Sequence, residues 1–218
     1  MHEVGGSVVT GSKDGAAALL RVTPTGLVHE AAHNFGVGVL KSVRWWRAGP
    51  TCFAAAGDGD LALFDPRCGG KTSAGLTLVS GAHARRIDCV RWSPRDDHLL
   101  LSNGGDRPMR LHDVRSNKGP VLELVGHTKA TQIDGNYHPS FTHGGAAISC
   151  LGHMTNRLSI FRVADGARVS EGELVDDRGA PRAEFRKGGC LQTVSLGGTE
   201  VLMLGAGKGL AALLPCKV

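Results

Sequence analysis

A chain of 218 residues with a net charge of +5 can bury one good core, and its composition narrows what that core is made of. Glycine is abundant at 32 residues and aromatics reach only 5%, which predicts tight turns between short aliphatic strands. Apolar residues come in short runs broken by Gly, Asp and Pro, which excludes long amphipathic helices. No run reaches the roughly 18–20 residues of a membrane helix, since Leu202 to Leu214 is too short and carries Lys208. Met1-His2-Glu3 leads into glycine and polar residues, not into a basic segment with an apolar core, so no targeting signal is read. Cys52, Cys68, Cys89, Cys150, Cys190 and Cys216 are scattered, without a C-x-x-C, and are expected to be reduced thiols packed as small hydrophobes, with disulfides or a metal site as the alternative.

In chain order, Val8 to Gly15 followed by Ala17 to Val22 reads as two strands around a turn. Ala32-His33 opens the next unit. Ser42 to Trp46 is its first strand, Ala54 to Gly59 its second strand and turn, and Leu61 to Asp65 its close. The clearest unit runs from Gly81 to Arg115. After Gly81-Ala82-His83 come a strand at Ile87–Trp92, a turn through Ser93-Pro94 and Asp96-Asp97, and a strand at His98–Ser102. A turn at Gly104-Gly105-Asp106 leads into a strand from Pro108 to His112, closed by Asp113. Gly126-His127 opens another unit, with Asn136 to Pro139 matching Arg91 to Pro94, and Asn156 to Arg162 closes it. Cys190–Leu196, Val201–Gly205 and Leu210–Leu214 are three further strand candidates. Asp14, Asp58, Asp106 and Asn156 mark turns about one repeat of 40–45 residues apart.

An opening His and a closing Asp about 30 residues apart, with these turns between them, resemble a WD40 repeat, with His112 where that family usually has Trp. The resemblance covers roughly residues 5 to 214. It implies an all-β, WD40-type β-propeller in one domain, with blade-like segments 5–31, 32–67, 81–115, 126–166 and 183–214. A seven-bladed propeller needs roughly 300 residues, so about three full and two partial blades predict an incomplete propeller, with a closed four- or five-bladed ring as the alternative.

Propellers present loops and a rim to partners, so the candidate site residues are charged groups at blade entrances. Lys41, Arg44, Arg85, Arg86 and Lys129 are expected on one face, as a ring for the phosphates of duplex DNA or as ordinary solvated charges. The blade ending Asp-x-Arg occurs at Asp65 and Arg67 and again at Asp113 and Arg115. It resembles the box by which WD40 substrate receptors dock the adaptor of the cullin-4 ubiquitin ligase, or it merely supports the blade. The order of motifs is similar to the subfamily containing the WD40 subunit of the UV-damaged-DNA-binding factor. By that resemblance the loop His153, Met154 and Arg157 faces DNA, with Met154 beside a base step.

The implied function is a non-enzymatic interaction module, chromatin- or DNA-associated in the damage response. The competing reading is a general scaffold, histone-binding or complex-assembling, without nucleic acid. The basic balance suits a nuclear location, with the cytoplasm as alternative. No cofactor, metal, membrane or small-molecule substrate is expected. G-x-S-x-G and H-E-x-x-H are absent, and Gly205 to Gly209 lacks P-loop spacing.

Overall fold

The computed structural model describes residues 2–4, 6–34, 38–46, 49–64, 77–106, 108–116, 118–127, 138–152, 156–176, 178–181, 189–206 and 209–215. Five antiparallel sheets follow one another along the chain, each a meander that pairs only sequence neighbours. Blade 1 holds β1 (His2–Val4), β2 (Ser7–Gly11), β3 (Ala16–Thr23) and β4 (Gly26–Asn34). Blade 2 holds β5 (Ser42–Trp46), β6 (Gly49–Ala56), β7 (Leu61–Phe64) and β8 (Thr77–Val79). Blade 3 holds β9 (Ile87–Trp92), β10 (Leu99–Gly104), β11 (Met109–Asp113) and β12 (Leu122–Leu124). Blade 4 holds β13 (Ser140–Thr142), β14 (Ala147–Leu151), β15 (Arg157–Arg162) and β16 (Arg168–Glu173). Blade 5 holds β17 (Cys190–Leu196), β18 (Thr199–Ala206) and β19 (Gly209–Pro215). Among the described residues there is no α-helix, only a 3₁₀ turn at His143–Gly145. The all-β reading therefore holds, and the sheets are propeller blades of the WD40 type.

The core is distributed between neighbouring blades. Val9 and Ala17 pack on Val43, Trp45 and Ala62. Ala54, Ala56 and Leu61 pack on Ile87, Val90 and Leu100. Leu101, Met109 and Leu111 pack on Phe141, Ile148 and Phe161. Alanine at 54, 56 and 62 lets sheets approach closely where aromatics are scarce. The innermost strands meet blade to blade: β5 packs on β9, and β13 on β17. His138 forms a parallel bridge with Cys190 at the start of the latter pair.

Two features differ from the sequence reading. The fourth strands β8, β12 and β16 follow the closing residue of each repeat and carry little apolar alternation; β16 is exposed at every position. Cys89 and Cys150 are buried thiols as expected, but Cys190 is exposed. Side-chain placement at Cys52 is not described, and Cys68 and Cys216 lie outside the described residues.

The turn between β6 and β7 seats the next blade. Gly59 has φ +95°, and a Cβ there would lie 2.6 Å from the His83 carbonyl oxygen. The His83 amide donates to the Gly59 carbonyl at 2.9 Å, and the Ile87 amide to the Gly57 carbonyl at 2.8 Å. Only glycine fits a left-handed turn this close to another backbone. Gly59→Ala is therefore expected to destabilise the chain by about 2 kcal/mol, read as a lower denaturation midpoint in urea with an unchanged slope. An unaltered midpoint would mean that the turn does not set the blade spacing.

Candidate interaction site

The entrance of blade 3 is built around a buried polar chain. His83 sits on the loop before β9, and its Nδ1 hydrogen bonds Asp106 Oδ1 at 2.5 Å. With the proton on Nδ1, His83 Nε2 accepts from the Ser102 hydroxyl at 2.7 Å, which accepts in turn from His112 Nε2 at 2.9 Å. Asp106 also accepts from the Ala84 amide at 3.1 Å and from Arg110 Nη1 at 2.6 Å, while Arg110 Nε reaches Glu123 at 2.7 Å. Burial alone would raise the Asp106 carboxyl; bonds from His83 and Arg110 overcome this and hold it well below the usual carboxylate range. Burial, aided by His83 and Arg110, pushes His112 down to about 4. Ser102, His83 and Asp106 share the order of a nucleophilic triad, but Ser102 is fully buried and bonded on both sides. Nothing can attack from there, so the chain is a rivet that ties the entrance loop to its blade.

The neighbouring blades replace this chain with rings. His33 lies 4.0 Å from Phe64 between centroids, and His127 meets Phe161 edge-on at 6.3 Å. Phe64, His112 and Phe161 each occupy the closing strand of their blade. Among the described residues both His127 ring nitrogens are buried without a partner, and burial pushes this imidazole down to about 4.

Among the described residues, the candidate cations do not all lie at one end of the blades. Lys41, Arg85 and Arg86 are exposed at the entrance end. Arg86 Nε is bound to Asp88 Oδ1 at 3.0 Å; burial raises the Asp88 carboxyl, against the pull of Arg86 and Lys41. Arg44 lies three residues along the inner strand from Lys41, toward the opposite end of the blade. Arg157 pairs with Glu171 at 2.9 Å across β15 and the outermost β16. Lys129, His153 and Met154 lie outside the described residues, as do Asp65 and Arg67 of the first Asp-x-Arg box. In the second box, Arg115 folds back on Asp113. Nε and Nη2 reach the two carboxylate oxygens at 2.9 and 2.7 Å, and the Arg115 amide adds a third bond at 2.9 Å. The Arg115 side chain pulls the Asp113 carboxyl down to about 2.

A cavity of about 320 Å³ opens where the inner strands of blades 2 to 5 converge, at the end of the strands opposite the entrance loops. Its lining includes Arg44, Arg91, Trp92, Ser140, Thr193 and Glu200. Sequence reasoning placed Arg44 on the wrong end and passed over Arg91, whose only signal was its position one residue before the end of the β9 run.

No family model matches the chain. Among curated proteins, it is similar to a protein named "Ribosome biogenesis protein WDR12 homolog" from Ixodes scapularis. The two are 29% identical over 157 residues, which is 72% of this chain and 34% of that protein. It is also 28% identical over 119 residues to "WD repeat-containing protein RUP2" of Arabidopsis thaliana, covering 54% of this chain and 30% of that one. A shorter match, 35% identical over 81 residues, is to "WD-40 repeat-containing protein MSI4" of the same plant, covering 34% of this chain and 15% of that one. The chain thus spans about a third or less of the length of these relatives. Antiparallel blades, the riveted entrance histidine and similarity to three differently named WD-repeat proteins together support the chain's place in the WD-repeat family.

Proposed function

We propose that this chain is a non-enzymatic protein-interaction module that serves the assembly of a larger complex, in the setting of ribosome biogenesis. One observation carries the reading: the polar groups that resemble a reactive site are locked inside blade 3, which leaves the loops, rims and central cavity as the surfaces that can meet a partner. The setting is supported by the printed names of the WDR12 homologues. We place the protein in the nucleus, on its basic charge. Of the two readings from sequence, complex assembly without nucleic acid is therefore preferred. Duplex DNA, histones and the cullin-4 adaptor draw no support from the names of these relatives.

The test is a density gradient of extract from cells that express the tagged full chain. The tag is expected to sediment with pre-ribosomal particles and to shift to light fractions after ribonuclease treatment. A tag that stays in light fractions throughout would overturn the setting. Retention of the cullin-4 adaptor, lost on Arg115→Ala, would favour the competing reading instead.

A further inference from the structure

We propose that Arg44 and Arg91 form a binding site for a phosphate-class oxyanion at the far end of the inner strands. The two residues occupy neighbouring innermost strands, β5 and β9, which are stitched together at this level. The Val90 amide donates to Ser42 Oγ at 3.2 Å, and Trp92 Nε1 donates to the Arg44 carbonyl at 3.2 Å. Both arginines line the cavity. Among the described residues their Nε atoms are buried without a hydrogen-bond partner, while the Arg91 side chain also bonds the Cys89 thiol. Arg44 Nη1 donates to the Val43 carbonyl at 3.1 Å. Among the described residues, neither arginine forms an ion pair.

This arrangement is unfavourable as it stands. Burial, and then the charge of Arg91, lowers the Arg44 guanidinium from its ordinary value. Burial, and then the same two cations, lowers His138 from its ordinary value. Two like charges beside a part-buried cavity are stabilised by an anion that accepts from both, and a guanidinium fork matches a tetrahedral phosphate with paired bonds. The remaining wall sets the size of the guest. Ser140 and Thr193 hydroxyls are bonded to each other at 3.1 Å, and Glu200 is held by the Gly144 amide at 2.9 Å, so the arginines supply the free donors. The Glu200 carboxylate on the rim disfavours a guest that extends in its direction.

The phosphate could be a free anion or part of a phosphorylated side chain. The experiment uses the full chain with inorganic pyrophosphate, a short phosphoserine peptide and the same peptide without phosphate. Titration calorimetry at low salt is expected to show saturable binding of at least one phosphate probe, weakened tenfold or more in the R44Q/R91Q double variant. Tighter binding of pyrophosphate assigns the site to a free anion, and tighter binding of the phosphopeptide assigns it to a side chain. The thermal midpoint of the unliganded double variant is expected to stay the same or rise, because a repulsion has been removed. Equal binding by wild type and variant, no phosphate probe bound, equal binding of both peptides, or a clearly lower midpoint in the unliganded variant would each overturn the site.

Discussion

Asp106→Ala is expected to destabilise the protein by about 3–5 kcal/mol, the range for removing one partner of a buried ion pair. The carboxylate accepts from His83, the Ala84 amide and Arg110, and its side chain is only 11% exposed. Without it, the His83 Nδ1 proton loses its acceptor, and Arg110 Nη1, which also lies 2.8 Å from that nitrogen, loses its carboxylate. The contrast is Asp113→Ala, which removes a carboxylate whose partner Arg115 is 61% exposed; an exposed pair is worth about 0–1 kcal/mol. Urea unfolding of both variants against wild type measures the difference. A loss below about 1 kcal/mol for Asp106→Ala would show that packing, not the polar chain, holds the entrance loop.

Stability is expected to fall as pH drops from about 6.5 to about 4, chiefly through two histidines. Burial holds His112 and His127 down to about 4 in the folded chain, against an ordinary 6.5. Between those values the unfolded chain takes up protons that the folded one refuses, so acid favours unfolding. Above 6.5 both states are neutral and the pair contributes nothing. Each histidine accounts for up to about 3 kcal/mol over the window. The depressed carboxylates of Asp106 and Asp113 act at lower pH. Their contribution is complete above about 4 and is lost as pH falls through their folded values. Thermal midpoints from pH 7.5 to 4.5 test the order, and His127→Leu should flatten part of the slope. A midpoint that is level from pH 7 to pH 5 would sink the account.

Blade 3 was legible because its chemistry is local. Gly81-x-His83, the Gly104 to Asp106 turn and Asp113 are within one repeat, and turn residues announce the strand ends. The fourth strands were not legible. Leu122–Leu124 is three residues long, and Arg168–Glu173 pairs through its backbone while every side chain faces solvent. Without a buried face there is no period of two to read. Arg44 failed for a geometric reason. A strand rises about 3.3 Å per residue, so three residues beyond Lys41 move a side chain about 10 Å toward the opposite end. The cavity itself needs Arg44, Ser140 and Thr193 to meet from separate blades, and no pattern within a single repeat encodes which strands converge.

The loop carrying His83 is gripped from two sides: its backbone by the Gly57–Gly59 turn of blade 2, its ring by Asp106 of blade 3. Its amide hydrogens therefore belong to neither sheet alone. The His83 and Ile87 amides lose their acceptors when the two blades part, so their exchange with solvent reports the separation of blade 2 from blade 3. For a scaffold this is consequential: a partner that clamps either blade also rigidifies the other, and the pair presents a single continuous surface.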